Sequence, residues 1–228
     1  MERVEQLRLC HARRGAFARF NSFVLGLNDR NVSLRDEDLI ISAIEEQNLF
    51  FVENDSNALI GTTGFYHHGA EPNLVAEIGS TLIDKPYRGL GLQVVIYKHI
   101  IAFEWLQYQP LQPVFAVVDH CAAGSYKNIE RCGFRRLDRP PVRLINAKEN
   151  YDWHKIETGE KRLYQLTKEA VADSLEFVAD TRSTCRLLDK QGTIRCLLSI
   201  EFRYLQDEDL SKALRQEAEI VRNSRYGS

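Results

Sequence analysis

Apolar and polar positions along the chain fall into blocks whose period switches between about 2 and about 3.6, the spacings of a half-buried strand and an amphipathic helix. Residues 2–10 suit a first strand, and 12–25 and 34–46 carry apolar residues at helical spacing. The run NLFFVE at 48–53 ends in Asn54-Asp55, and 58–66 is a second run rich in β-formers, so the two predict a hairpin. A third strand is expected over 74–83 (LVAEIGSTLI). After a glycine turn comes a helix over 92–106, on which Leu92, Val95, Ile96, Ile100, Phe103 and Leu106 form one stripe. Tyr97, Ile101 and Trp105 make much of its remainder apolar as well, as in a helix wedged against a sheet.

PVFAVVD at 113–119 reads as a buried strand. A short helix then runs to Gly133, placed as a left-handed C-terminal cap, and 134–137 and 161–166 read as further strands. Between them, Pro140-Pro141 and the stretch 146–159 form the longest polar interruption. The order strand, glycine turn, helix, strand over 74–119 is a β-α-β unit, whose strands should be parallel. The expected class is therefore α/β of the α+β type, with a mixed, mostly antiparallel central sheet containing one parallel β-α-β unit and flanked by helices.

A helix with Val171, Ser174, Leu175 and Val178 on one side opens the C-terminal part. Residues 194–204 then alternate, with Ile194, Cys196, Leu198, Ile200, Phe202 and Tyr204 on one face, and Lys190-Gln191-Gly192 offers the turn from a partner strand near 185–188. A closing helix over 207–222 puts Leu210, Ala213, Leu214 and Val221 on one side. This tail is too small for a core of its own and is expected to dock on the rest of the chain or on a second subunit.

Composition changes this picture little. With 44% hydrophobic and 27% charged residues and a formal charge of -2, the chain resembles an ordinary soluble protein, and no charge excess recommends a nucleic-acid partner. The N-terminus lacks the apolar region of a signal peptide, and no apolar run approaches the ~18 residues of a membrane span, so the cytoplasm is the expected location. Five cysteines without a C-x-x-C pair indicate neither a disulfide framework nor a zinc site, and no metal is expected.

The chemistry begins at PYRGLGLQVV, residues 86–95. Glycines between a strand and a helix let backbone N–H groups form an anion cradle, the helix dipole adds to it, and Arg88 offers a bidentate positive charge. The plainer alternative is a tight turn and nothing more. The run lacks the Lys-Ser/Thr of a phosphate-binding P-loop, and the dinucleotide fingerprint breaks at Val94.

EIGSTLIDKPYRGLGLQ at 77–93, joined to SYKNIERCGF at 125–134, resembles the GCN5-related N-acetyltransferase (GNAT) superfamily, with its Arg/Gln-x-x-Gly-x-Gly/Ala motif after a central strand. The resemblance extends more weakly over 1–167, as an acyl-CoA-binding domain, and leaves 168–228 as a C-terminal extension of helix, hairpin and helix. It implies acetyl-CoA as co-substrate. Main-chain groups of Arg88, Gly89, Leu90, Gly91, Leu92 and Gln93 would hold the pyrophosphate, Leu82 and Ile83 would pair with pantetheine and the acyl carbonyl, and Ser125 would join the cofactor contacts. Gln93 stands where the motif ends in Gly/Ala; a glutamine at a helix N-terminus can point its side chain outward while its backbone amide still faces the ligand.

Many members of that family carry a Tyr where Ile129 stands and an Asn where Ala122 stands. Tyr126, one turn before Ile129, is a candidate acid for the departing thiolate or a residue packed on the sheet. By the resemblance Glu77 is a candidate base for the amine, which needs a free lone pair to attack; a carboxylate on the solvent face is the alternative. His120 and His68 are candidate bases or surface residues, and a Cys121–His120 nucleophile is disfavoured because strand neighbours point apart.

The resemblance implies an acyl-CoA-dependent N-acyltransferase, an acetyl donor and a small-molecule or peptide amine as acceptor, working by direct attack in a ternary complex. A GNAT-fold protein that binds acyl-CoA but has little or no activity is the alternative. Neither nucleic acid nor membrane is expected as a partner, and the extension suggests a homodimer.

Overall fold

The computed structural model describes residues 4–27, 35–108, 112–202 and 209–224. The ends expected for the first strand at 2–3, the second helix at 34, the alternating run at Tyr204 and the closing helix at 207–208 lie outside them.

Among the described residues nine strands form one sheet: β1 (Glu5–His11), β2 (Leu49–Asn54), β3 (Leu59–His68), β4 (Val75–Ile83), β5 (Val114–Asp119), β6 (Phe134–Leu137), β7 (Lys161–Leu166), β8 (Thr184–Leu188) and β9 (Ile194–Ile200), in the order β6-β7-β5-β4-β3-β2-β1-β9-β8. The pairing of β4 with β5 is parallel, as the β-α-β unit requires, and the sheet is otherwise antiparallel except at β1 and β9. That second parallel pair joins the first strand to the last hairpin, so the tail extends the same sheet.

The helices of the described residues that flank it are α1 (Phe17–Gly26), α2 (Glu37–Glu45), α3 (Leu92–Gln107), α4 (Ala123–Arg131), α5 (Val142–Ala147), α6 (His154–Glu157), α7 (Lys168–Thr181) and α8 (Leu210–Asn223). Strand alternation divides them between two layers. Phe50, Phe65, Ala76 and Ile78 face a core built with α3, α4, α7 and α8. Their neighbours Phe51 and Tyr66 face α1 and α2, and Val75 and Phe115 face Leu144 of α5 and Ile156 of α6. The stretch expected only as a polar interruption thus carries two short helices, too brief for a helical period to show.

α3 is wedged as its breadth of apolar residues predicts: Ile96, Ile100 and Ile101 are fully buried, each contributing roughly 1.5–3 kcal/mol. α7 lies against α3, and Leu210, Leu214, Ala218 and Val221 turn α8 onto the same core. Gln93, His99 and Glu104 interrupt the apolar surface of α3. Glu104 has no exposed surface and neither carboxylate oxygen has a hydrogen-bond partner. Burial, with repulsion from Glu46 behind it, pushes its carboxyl up to about 8.

A carboxyl raised in this way favours the fold fully below its unfolded value near 4.5, and that contribution is lost as pH rises through about 8, at roughly 1.4 kcal/mol per unit. Glu104→Gln should therefore melt above the wild type at pH 8.5, with the gap closing towards pH 4.5. Melting curves across that range check this, and a gap independent of pH would contradict it.

Candidate active site

The site begins with an irregularity in β4. Thr62 pairs with Leu82 and Gly64 with Gly79, so β4 carries one more residue than β3 across this step, and Ser80 takes φ 50°. Such a bulge bends its strand. Ser80 accepts a 2.6 Å hydrogen bond from the Tyr66 hydroxyl on one face, while Thr81 is 2.8 Å from the Tyr97 hydroxyl of α3 on the other. The ladder to β5 covers only Ala76–Val114 and Glu77–Phe115, although β4 runs on to Ile83 and β5 to Asp119. Beyond Glu77 the two central strands part.

β4 leads through a single 3-10 turn at Lys85–Tyr87 into the glycine turn. Gly89 and Gly91 adopt φ 85° and 76°, and Gly91 caps α3 in the left-handed conformation. A side chain would find open space at both, so what requires glycine is φ, not crowding. The Leu92 and Gln93 amides that follow lie in the first turn of α3, where no intrahelical acceptor exists. Arg88 donates from Nε to the Ile83 carbonyl at 2.8 Å, which ties the arginine to the end of β4. Arg88, Gly89 and Gly91 are exposed, and a run of N–H groups at a helix start with an adjacent guanidinium fits a pyrophosphate.

Gln93 does not point outward. It is buried, and its Oε1 accepts a 2.9 Å hydrogen bond from Asn128 Nδ2, fastening the start of α3 to α4. The glutamine amide thus has a half-buried partner on a neighbouring helix. Ser125 lies half-buried in the first turn of α4, its N–H on the Ala122 carbonyl at 2.9 Å.

Glu77 is buried, on the face of α1, α2, α5 and α6, and not on a solvent face. Its carboxylate accepts from Arg35 and from Lys148, and His68 Nε2 lies 3.5 Å away without a hydrogen-bond partner. Burial alone would raise its carboxyl; Arg35, the approach of His68 and Lys148 outweigh that and hold it well below the usual range. A carboxylate held between two cations is a weak proton acceptor, which argues against Glu77 as the base. Arg35 stacks 4.4 Å over the Tyr66 ring. A Cβ at Gly79 would strike Arg35 Nη2 at 2.1 Å, and one at Gly64 would strike the Tyr66 hydroxyl at 2.3 Å, so the paired glycines make the bed on which this stack lies.

Tyr126 packs on the opposite face of the sheet, against the α3 core, with the Arg162 guanidinium 4.1 Å over its ring. Ile129 is 2% exposed in that same core. His120 sits in the exposed turn after β5, its N–H on the Glu160 carbonyl at 3.0 Å, and Cys121 follows it there. The structure therefore gathers Glu77 with Arg35, His68 and Lys148, and places Tyr126 and His120 elsewhere. Arg35 and Lys148 escaped sequence reasoning because they are distant in the chain; the glycines inside β3 and β4 were the available signal of a close approach. Among the described residues no three His, Cys, Asp or Glu are grouped to hold a metal ion, and no helix is long and apolar enough to cross a membrane.

By sequence the chain matches no protein-family model and no curated protein. By shape it is similar to an acetyltransferase of the GNAT family from Staphylococcus aureus Mu50, with TM-score 0.54 and 17% identity over 70% of this chain and 98% of that one. It is also similar to Naa50 of Arabidopsis thaliana in complex with a bisubstrate analogue of CoA, with TM-score 0.53 and 15% identity over 71% and 98% of the two chains. The chain has the GNAT fold.

Replacing Glu77 by Gln would leave two largely buried cations without a counter-charge and should cost about 3–5 kcal/mol. Urea unfolding checks this. The native carboxyl lies below its unfolded value, so its contribution is present above about 4.5 and lost only on stronger acidification; the deficit of the variant should be constant from pH 6 to 9.

Proposed function

We propose that the chain is an acyl-CoA-dependent N-acyltransferase that moves an acetyl group from acetyl-CoA to an amine by direct attack in a ternary complex. The observation that carries this reading is the glycine turn and helix start at 88–93, set directly after a β4 strand that has parted from β5.

In this reading Arg88, Gly89, Leu90, Gly91, Leu92 and Gln93 receive the pyrophosphate through main-chain N–H groups. The Leu82 and Ile83 backbone lines the opening beside the pantetheine and acyl carbonyl, and Ser125 borders it from α4. The thioester supplies the acyl group. The chain orients the carbonyl against main-chain donors, which stabilise the oxyanion that forms on attack. Glu77 fixes Arg35 and Lys148 at the mouth of the opening and is a positioning residue in this account. Tyr126 and His120 are left to packing and to the surface. A thiolate with a pKa of roughly 8–9 leaves without a dedicated acid, so Ile129 is compatible with turnover.

Ile129 also favours a second reading, a protein that binds acyl-CoA and turns over little or not at all. Calorimetric titration with acetyl-CoA and with CoA, followed by thiol release over a panel of amines, separates the two. Saturable binding is expected, weakened at least tenfold, or about 1.4 kcal/mol, by Arg88→Glu at unchanged melting temperature, and weakened also by Gly91→Val, whose positive φ additionally lowers the melting temperature. Binding without thiol release would favour the second reading, and affinity unchanged in both variants would sink the cradle.

A further inference from the structure

The segment that follows β6 holds polar hydrogens with no acceptor. Tyr151 Oη and Trp153 Nε1 are closed to solvent and have no hydrogen-bond partner, and Arg143 Nε, on α5, shares that state. The indole and guanidinium nitrogens only donate. A buried donor left unpaired costs roughly 1–3 kcal/mol, and native proteins rarely keep several together without a reason. The Tyr151 and Trp153 rings are 4.6 Å apart, and Lys148 Nζ stands 4.6 Å from the centre of the Tyr151 ring while it reaches Glu77. Glu77 occupies the last paired position before β4 and β5 part.

The charges around these donors are unbalanced. Arg35 and Lys148 share the single carboxylate of Glu77, leaving one positive charge in excess. Two further carboxylates reach the field of Tyr151: Asp119, which lies 3.8 Å from Lys161, and Asp152, which lies 3.8 Å from Lys155. Burial, with Glu77 and Asp119 behind it, pushes the Tyr151 phenol up to about 12, so its hydroxyl keeps its proton and remains a donor. With Asp119 and Asp152 each set against a lysine, the surroundings keep the one excess positive charge, and the donors of Tyr151 and Trp153 have no acceptor oxygen within hydrogen-bond distance.

We infer that the acceptor is an amine carrying a carboxylate in the same molecule, an amino acid, with the carboxylate received by Tyr151, Trp153 and Lys148 and the amine turned towards the opening between β4 and β5. The inference rests on the acyltransferase reading for its amine, but its carboxylate half has a readout of its own. The donors are shut from solvent in this state, so binding requires the 148–153 segment to shift, which changes the surroundings of Trp153.

The chain has two tryptophans, and Trp105→Phe leaves Trp153 as the sole emitter. In that background, the amino acids, their α-amides and spermidine are titrated with Trp153 emission and heat as readouts, without CoA. At least one amino acid should bind saturably and at least tenfold tighter than its own amide. That preference should vanish in Lys148→Met and weaken in Tyr151→Phe, which removes only a hydroxyl. The same amino acid should then release thiol from acetyl-CoA. Amides binding as tightly as the acids, a preference for spermidine, or no amino acid bound would overturn the inference. Failure of acetyl-CoA to bind in calorimetry would instead strike the acyltransferase reading, and Trp153 would still report on the carboxylate site.

Discussion

The hydroxyls of Tyr66 and Tyr97 grip β4 from opposite faces at Ser80 and Thr81, where the strand carries its extra residue. A sheet closes its ladders unless something prevents it, because unpaired backbone groups are costly once buried. Here the bulge turns β4 away from β5 after two paired positions. Everything offered to a ligand follows from that bend: an open strand edge up to Ile83, a turn with glycines at φ 85° and 76°, and the amides that begin α3. The grip also couples the layers, since Tyr97 belongs to the helix that begins at the glycine turn and Tyr66 to the stack that holds Arg35.

A buried ion cluster stands beside this opening, and clusters of that kind seldom repay the desolvation of their members. The arrangement of Glu77, Arg35 and Lys148 joins the approach to α2 and the segment after α5 to the central strand, so two connections distant in sequence are fixed by one carboxylate. Its excess positive charge and the donors of Tyr151 and Trp153 give this side of the opening a chemical character that the glycine turn, built from main chain, does not share.

Much of the fold was legible because strands and helices announce themselves by period. The β4-α3-β5 unit, the β2-β3 hairpin and the amphipathic α8 all follow from alternation or helical stripes, and the glycine turn from two residues. The parallel pairing of β1 with β9 was not legible, since nothing local in either strand encodes a partner nearly two hundred residues away. α5 and α6 were missed because a few residues show no period. The side-chain role of Gln93 was not legible, because its partner, Asn128, lies on another helix. Glu77 was legible as a position but not as a chemistry: its behaviour depends on Arg35 and Lys148, and only the folded chain brings them to it.

Backbone amide hydrogen exchange, followed residue by residue with and without acetyl-CoA, tests most directly whether the parted strands and the glycine turn form one site. The account predicts slower exchange confined to 82–93 and to the facing end of β5 at 116–119. Unchanged exchange at Gly89 to Gln93, or protection that appears only elsewhere in the chain, would contradict it.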